Sequence, residues 1–282
     1  MNLDLMEMLK VVFLGIVEGI TEWLPISSTG HMILLNEFVK MNVSEDFWDV
    51  FLVVIQLGAI LAVVVLYWGK LFPFDFSKEA REHGTISKPE IWQMWFKIII
   101  ACIPAVIVGV LFDDITTELF YNGPCVASAL IIFGIGFIFI ENYNKKRKPS
   151  IKKISDIDYK TAFIIGLFQM VAAIFPGTSR SGATILGGLL VGVSRKTAAE
   201  FTFFMGVPVM LGASLLKILK HGFVFTGVEA GLLIVGMVVA YIVSIVVIRF
   251  LMGYIRKHDF KVFGWYRIVL GIIVLLYFFV IK

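Results

Sequence analysis

The chain has 282 residues, of which 59% are hydrophobic and only 16% are charged, and its formal net charge is +4. A soluble domain usually contains about 45–50% apolar and about 25% charged residues, so this composition excludes a soluble globular enzyme. The basic residues concentrate in a few loops, a distribution that is typical of membrane topology signals and offers no patch for binding nucleic acid.

In chain order, the sequence predicts an all-α integral membrane protein with six full transmembrane helices and two interrupted segments. A membrane-spanning helix needs about 20 predominantly apolar residues. Residues 5–38 are too long for one span and are broken by the polar turn 25–30, and residues 161–193 are broken by the polar turn 176–182. Each segment is therefore predicted to form two half-helices joined by its polar turn. The full spans are predicted at 47–68, 95–112, 124–140, 198–216, 228–248 and 262–280.

The distribution of Lys and Arg predicts the orientation. Loops 69–94, 141–160 and 249–261 are basic and should be cytoplasmic, whereas loop 113–118 has neither Lys nor Arg and should be outside. With Arg195 and Lys196 also inside, segment 161–193 must enter and leave on the same face, as a re-entrant hairpin. Segment 5–40 is then a second hairpin that enters from the opposite face if the N-terminus is also outside. We therefore expect one membrane domain, 1–282, with a first repeat at 1–140, a basic loop at 141–160 and a second repeat at 161–282.

An inverted-topology repeat is supported by a match at an offset of 151 residues, which places Gly15 on Gly166, Glu18 on Gln169 and Ser28 on Ser179. Inverted repeats with interrupted helices are typical of transporter-like architectures, and the interruptions are the best sequence indicator of a binding site. The two breaks are therefore where we expect the chemistry.

The first break follows two acidic residues. Glu18 and Glu22 are four residues apart and share one helix face. Carboxylates in an apolar segment are costly unless they face a cavity, a cation or a partner. They predict ligands for a divalent cation, Mg²⁺ or Ca²⁺, or groups that transfer protons. The alternative is that they anchor the helix at the interface or belong to a structural hydrogen-bond network. Glu200, near the start of the span 198–216, is either another cavity-facing acid or an ordinary helix-start residue.

The hydroxyl groups of the first break lie at the start of its second half-helix. Ser27, Ser28 and Thr29 are natural N-cap residues, and they are also candidate phosphate ligands. His31 follows Ser28 by three residues, close enough to act as a base or a proton donor for a neighbouring hydroxyl.

The second break supplies positive charge. The free N–H groups and dipole of its half-helix favour an anion, and Arg180 adds a planar fork suited to phosphate oxygens. In the empty protein, Arg180 could pair with Glu18 or Glu22. The P-loop pattern is absent, which disfavours nucleotide chemistry. The combined inventory matches a group with two linked phosphates, for which the second break offers Gly177, Thr178, Ser179, Arg180, Ser181 and Thr184.

The run EGITEWLPISSTGH together with PGTSRSGAT resembles the signature pair of the undecaprenyl-diphosphate phosphatase family, the bacitracin-resistance integral membrane phosphatases of bacteria. The resemblance covers essentially the whole chain. It implies hydrolysis of undecaprenyl diphosphate to undecaprenyl phosphate and inorganic phosphate in the bacterial inner membrane, with an active site that opens to the outer face and depends on a divalent cation. The residues that it implies for that site are Glu18, Glu22, Ser28, His31, Ser179, Arg180 and Thr184.

Two mechanisms stay open at this point. Either Ser28 attacks the terminal phosphorus with His31 as its base, or a water activated by His31 or a glutamate attacks, with Arg180 stabilising the phosphate oxygens in both cases. A rival function from another class is a transporter or flippase of a polyprenyl phosphate or another anion. The Gly-rich stretch 182–192 permits close helix packing, so a homo-oligomer also stays open.

Overall fold

The structure, a computed structural model, describes residues 4–82 and 85–281. These residues form helices joined by turns. The described part contains two isolated β-bridges but no β-strand. Besides the α-helices, there is a 3-10 turn at Ile154–Asp156 and a π-helical turn at Tyr277–Ile281. The α-helices are α1 Leu5–Thr21, α2 Ser28–Asn36, α3 Glu45–Val54, α4 Gln56–Leu66, α5 Trp68–Leu71, α6 Lys78–Glu82, α7 Pro89–Leu111, α8 Asp113–Phe120, α9 Gly123–Asn144, α10 Tyr159–Ile174, α11 Arg180–Leu190, α12 Arg195–His221, α13 Gly227–Tyr254 and α14 Lys261–Leu276.

Six helical stretches in the described residues are long and apolar enough to cross a membrane. α3 and α4 join at Ile55 and together make one of these, Glu45–Leu66. The others coincide with α7, α9, α12, α13 and an extended α14, Lys261–Phe279. All six overlap the predicted spans, which confirms an all-α membrane protein with six membrane-crossing helices.

The surface and the interior have the polarity expected of a chain in lipid. Large apolar side chains such as Phe139 and Val246 point outward and are more than 60% exposed, at 66% and 64%. The interior, by contrast, contains buried charged side chains, among them Glu18, Glu22 and Arg267. Because intramembrane charges are costly and face an interior site or a partner, their position indicates where the functional centre lies.

The helices before the two breaks pack reciprocally, because each lies against a helix from the other half of the chain. α1 lies against α13, and α10 lies against α7. A Cβ added at Gly15 would be 3.0 Å from the Gly236 carbonyl oxygen, and one at Gly166 would be 2.3 Å from that of Ala101. The two glycines that match at the offset of 151 thus perform the same task, since each lets a helix approach its neighbour's backbone.

The helix interruptions occur at the predicted turns, and both have the same local structure. Ser27 and Ser179 have φ values of 75° and 71° and are the two non-glycine residues with positive φ in the described chain. Each caps the following helix by accepting a hydrogen bond from the N–H of a glycine, Gly30 at 3.2 Å or Gly182 at 3.1 Å.

This match corrects one detail of the alignment. Ser179 corresponds in structure to Ser27, at an offset of 152, and not to Ser28 as the offset of 151 predicted. The second segment therefore has one more residue between its helix-packing glycine and its cap. Consequently Ser28 and Arg180 occupy equivalent first positions of α2 and α11. Backbone strain of this kind in non-glycine residues concentrates at functional sites.

Candidate active site

The two breaks lie against each other at the centre of the molecule. Arg180 Nη2 is 2.7 Å from Glu22 Oε1, although the two residues are 158 positions apart in the chain. Ser181 Oγ donates to the Glu22 carbonyl oxygen at 3.0 Å. The structure therefore brings the acidic break and the cationic break together, and it realises the pairing of Arg180 with one of the two glutamates that the sequence allowed.

Glu22 is the central acid of this site. It is 6% exposed, and both of its carboxylate oxygens are engaged. Oε1 accepts from Arg180, and Oε2 accepts from the Ser28 hydroxyl at 2.6 Å. A short, charge-assisted hydrogen bond of this kind orients the serine oxygen and places a proton acceptor beside it. Glu22 thus links the Ser28 hydroxyl of the first break to the Arg180 guanidinium of the second.

The guanidinium of Arg180 is held from three sides. Nη1 donates to the Thr202 carbonyl oxygen at 3.0 Å, and the group lies 5.8 Å from the centre of the Trp23 ring. Gly206 leaves the space that it occupies, because a Cβ there would approach Nη1 and Nη2 to 2.9 Å. Arg180 Nε has no hydrogen-bond partner in the described protein and is buried. One donor of the fork is therefore free for an anionic ligand.

His31 occupies a different position from the one expected. Its Nδ1 lies 2.7 Å from the Ser27 carbonyl oxygen, and its Nε2 lies 2.7 Å from the Tyr266 hydroxyl. Since a carbonyl only accepts, Nδ1 carries the proton, and the Nε2 lone pair accepts from Tyr266. The structure joins Ser28 to Glu22, and it places both ring nitrogens of His31 on other partners.

The remaining hydroxyls shape the second turn. Thr184 Oγ1 donates to the Arg180 carbonyl oxygen at 2.9 Å and receives a 2.8 Å hydrogen bond from Thr202. Ser179 Oγ and Ser181 Oγ are 3.2 Å apart. These contacts fix the start of α11 in the orientation that presents Arg180 to the first break.

Gly177, Thr178 and Thr29 were also predicted as phosphate ligands, and the structure shows where each lies. Gly177 has a φ of 90°, and a Cβ there would come within 2.4 Å of the Val126 carbonyl oxygen, so only glycine fits. Thr178 is fully buried and its hydroxyl has no partner in the described protein. Thr29 is half-buried in the first turn of α2.

Unpaired buried polar atoms concentrate at this site. Buried polar groups are normally hydrogen-bonded, so exceptions mark functional positions or unseen ligands. In the described chain, six buried side-chain atoms lack a partner, and all belong to residues in the two breaks or in the helices that lead into them. They are Glu18 Oε1, Trp23 Nε1, Thr178 Oγ1, Arg180 Nε and both amide atoms of Gln169.

Glu18 is the better placed of the two predicted metal ligands. It is 1% exposed, and its Oε1 atom has no hydrogen-bond donor among the described residues, whereas both oxygens of Glu22 are occupied. No group of three or more His, Cys, Asp or Glu side chains in the described residues is arranged to hold a metal ion. The protein donor set that is available for a cation is therefore small, which fits Mg²⁺ sites completed by substrate phosphates and water.

Arg267 is a site residue that the sequence analysis missed. It is fully buried on α14 and donates to carbonyl oxygens of both breaks: Nη1 to Pro25 at 3.2 Å, and Nη2 to Gly177 at 3.0 Å and Thr178 at 2.7 Å. The signal that could have revealed it is an arginine inside the last apolar span. Arg267 holds the two turns together.

Glu200, whose role the sequence left open, lies apart from the breaks. Its Oε2 atom is 3.0 Å from Lys70 Nζ, and its side chain is 9% exposed. The carboxylate therefore neutralises a basic residue of α5 and takes no part in the cluster around Glu22.

Comparison with known proteins agrees with this site. Residues 11–273 match the family described as Bacitracin resistance protein BacA. The chain belongs to the BacA family. A relative named undecaprenyl-diphosphatase from Desulfitobacterium hafniense is 65% identical over 97% of both chains. Undecaprenyl-diphosphatase 1 from Clostridium acetobutylicum is 62% identical over 98% of both chains, and undecaprenyl-diphosphatase from Enterococcus faecalis is 59% identical over 98% of this chain and 99% of its own.

The BacA match includes both breaks and Arg267, so every candidate site residue described in this subsection lies inside the family region. Family membership and the six membrane-crossing helices make the chain a multi-span membrane protein of a bacterial family. The resemblance inferred from the two motifs is therefore confirmed.

Proposed function

We propose that this chain hydrolyses undecaprenyl diphosphate to undecaprenyl phosphate and inorganic phosphate, which recycles the lipid carrier of cell-wall synthesis and confers bacitracin resistance. The observation that carries the proposal is the connected group of Ser28, Glu22 and Arg180, which combines a nucleophile, a proton acceptor and an anion-binding cation. Full-length relatives at 55–65% identity that bear the name undecaprenyl-diphosphatase support the substrate.

Substrate binding follows from the charges of the two breaks. The diphosphate would lie between the N-termini of α2 and α11, where free N–H groups and two helix dipoles favour an anion. Arg180 would use its free Nε, and the unpaired Thr178 hydroxyl and Trp23 indole would supply neutral donors. The prenyl chain would extend into the lipid.

The chemical step uses the hydrogen bond between Ser28 and Glu22. Ser28 Oγ attacks the terminal phosphorus while its proton passes to Glu22 Oε2. The bond from phosphorus to the bridging oxygen breaks, and undecaprenyl phosphate leaves with the electron pair. Water then attacks the phosphoserine, the bond from phosphorus to Ser28 Oγ breaks, and Glu22 returns its proton to Oγ. Inorganic phosphate leaves with the protons of the water, and the free Ser28–Glu22 pair is restored. Arg180 balances the charge on the equatorial oxygens, as phosphoryl transfer requires.

A direct attack by water would use the same residues, with Glu22 as the base for the water. His31 would then orient the first turn through Ser27 or relay a proton through Tyr266. A phosphoserine trapped at position 28 separates the two routes, because only the first route forms it.

A divalent cation, Mg²⁺ or Ca²⁺, is proposed at Glu18, with Glu22 Oε1 as a second ligand once substrate displaces Arg180 from it. The unpaired Oε1 of Glu18 supports this assignment. When bound, the cation would neutralise charge on the diphosphate oxygens. We expect Glu18→Gln to weaken Mn²⁺ binding, measured by electron paramagnetic resonance, whereas Glu200→Gln, which lies outside the site, leaves it unchanged.

We also infer the finer topology. Segments 5–40 and 161–193 are re-entrant hairpins of an inverted repeat, and the site opens to the outer face of the bacterial inner membrane. The reciprocal packing of α1 on α13 and of α10 on α7, and the equivalent caps Ser27 and Ser179, support this arrangement. The basic loop 141–160 supports the orientation.

Phosphate release from a short-chain prenyl diphosphate tests the proposed function. We expect purified wild type to release phosphate and Arg180→Ala to lose about 10³-fold or more in kcat, since it lacks the charge that stabilises the transition state. Arg81→Ala removes an exposed arginine from α6 and should retain full activity. Equal rates for the two variants would contradict the proposal.

The reciprocal helix packing also favours a second candidate, a transporter or flippase of a polyprenyl phosphate or another anion. The same preparation discriminates between the two. Phosphate release without lipid or anion flux in vesicles supports the phosphatase, and flux without phosphate release with any divalent cation supports transport.

A further inference from the structure

A second charged region lies far from the breaks, at the other end of α11. A cavity of about 600 Å³ opens where α9 and α13 end and α12 begins. The length of α11 separates it from Arg180 by about 15 Å of helix rise. Its charged lining residues are Glu141, Arg147, Lys148, Arg195, Lys196 and Arg256.

The single acid of this lining is already neutralised. Glu141 is buried, forms a bidentate ion pair with Arg195, and accepts a 3.0 Å hydrogen bond from the backbone N–H of Phe260. None of the ion pairs among the described residues involves Lys148, Lys196 or Arg256. Converging like charges repel one another, so the cavity is electrostatically suited to an anion.

The walls of the cavity are built by specific contacts. Ile151 forms a parallel β-bridge with Val193, and the Ser150 N–H donates to the Gly192 carbonyl oxygen at 3.0 Å. Asn144 Nδ2 donates to the Leu189 carbonyl oxygen at 2.9 Å. These bonds attach the basic loop to the α11–α12 turn, so the cavity is preformed.

Membrane topology alone does not require this arrangement. The positive-inside rule needs basic residues in the loop but no convergence of their side chains. Lys145 and Lys146 satisfy the rule, and they do not line the cavity. Two pairs of lysines with equal charge can therefore be compared. Lys148 and Lys196 line the cavity, whereas Lys145 and Lys146 lie outside its lining.

The surroundings favour a lipid over a free anion. A second cavity of about 320 Å³ shares Arg256 with the first and is lined by Leu66, Ile248 and Met252 on its apolar side and by Tyr67 and Arg249 on its polar side. Both lie where membrane-crossing helices end, the level at which phospholipid phosphates lie. An amphiphile could therefore place its phosphate among the cations and an acyl chain along the apolar side of the groove.

We propose that this basic cavity, together with the adjoining groove, binds an anionic membrane phospholipid by its phosphate headgroup. The ligand class follows from the cations without an ion pair, the polar cavity and the adjoining groove, which combines apolar and basic residues. Basic pockets between helices at the cytoplasmic side of a membrane are suited to such headgroups. The site is independent of the diphosphate chemistry at Ser28 and Arg180.

The test compares two double variants that each remove two positive charges. Wild type, K148Q/K196Q and K145Q/K146Q are purified in full length and placed in phosphatidylcholine nanodiscs that contain a minor fraction of phosphatidylglycerol. Native mass spectrometry measures the phosphatidylglycerol that stays bound. We expect wild type and K145Q/K146Q to retain one lipid molecule and K148Q/K196Q to bind it at least about tenfold more weakly.

Four results would overturn the proposal. Three concern the variants: no preference of wild type for phosphatidylglycerol, equal retention by K148Q/K196Q and wild type, or an equal loss in both double variants. The fourth is displacement of the lipid by millimolar inorganic phosphate, which would assign the cavity to the free ion. If K148Q/K196Q does not fold, R256Q against its exposed neighbour K257Q carries the same comparison.

Discussion

The hydroxyl of Ser28 donates a 2.6 Å hydrogen bond to Glu22 Oε2, and both side chains are buried. These residues are six positions apart and belong to different sides of a helix break, so they meet only because the turn folds α2 back toward the end of α1. The geometry therefore joins Ser28 to Glu22, whereas the ring nitrogens of His31 contact Ser27 and Tyr266.

The Ser28–Glu22 pair predicts that Ser28→Ala reduces phosphate release about 10³-fold or more, because the variant has no oxygen to attack phosphorus. The matched control is Ser214→Ala, which removes a buried serine of α12 whose hydroxyl donates to the Val53 carbonyl oxygen. Acid quenching of wild type during turnover should trap phosphate on Ser28. Near-normal turnover by Ser28→Ala would exclude the serine as nucleophile.

Gly206→Ala should reduce activity without unfolding the protein. Its Cβ would approach Arg180 Nη1 and Nη2 to 2.9 Å, and the flexible end of Arg180 would move away from Glu22. Gly212→Ala on the same helix is the control, since no atom lies within 4 Å of its Cβ. We expect Gly206→Ala to lose at least about tenfold in kcat and to melt at a lower temperature, because the displaced guanidinium leaves the buried Glu22 carboxylate without its ion pair. Gly212→Ala should keep wild-type kinetics and melt at or above the wild-type temperature, because alanine favours helix. Equal kinetics would show that the guanidinium position is unimportant.

Arg267→Met should lower both stability and activity. The variant leaves carbonyl oxygens of Pro25, Gly177 and Thr178 without their donor, and each unsatisfied buried group costs about 1–3 kcal/mol. Thermal unfolding in detergent and phosphate release measure the two effects. Arg267→Lys, which keeps the charge but loses the planar fork, should fall between wild type and Arg267→Met.

The control for this position is Arg249→Met, which removes an exposed arginine of α13. A melting temperature for Arg267→Met equal to that of Arg249→Met would contradict the role of Arg267 in holding the two turns.

Tyr266→Phe should reduce kcat about fivefold, which corresponds to the loss of one neutral hydrogen bond of about 1 kcal/mol. The variant keeps the aromatic ring that stacks on His31 and removes only the hydroxyl that lies 2.7 Å from Nε2. Tyr159→Phe, at an exposed position, should have no effect. If Tyr266→Phe has wild-type kinetics at every pH, the orientation of His31 does not contribute to catalysis.

Cysteine labelling should establish the orientation. In a variant without Cys102 and Cys125, single cysteines at Asn42 and Glu118 should react with an impermeant reagent from outside, and one at Lys146 should react only from the cytoplasm. All three positions are exposed. Labelling of position 118 from the cytoplasm would reverse the proposed topology and the face on which the site opens.

The six membrane-crossing helices and both interruptions could be predicted because they depend on local composition. A run of apolar residues forms a span wherever it lies, and a proline with neighbouring small polar residues interrupts a helix without help from distant residues. The caps at Ser27 and Ser179 are local in the same sense, since each serine accepts from the N–H three residues ahead. The alignment of the two turns was off by one residue, because weak similarity does not locate an insertion.

The contacts that make the site depended on how the helices pack. Composition indicated that Arg180 needs an anionic partner, but Glu18 and Glu22 share a helix face, and only the approach of α11 to α1 selects Glu22. Periodicity likewise placed Arg267 in a span without indicating that it would reach two turns 90 and 242 residues away. Residue types set which groups can bind phosphate, whereas helix crossing geometry, which no single segment encodes, sets which of them meet.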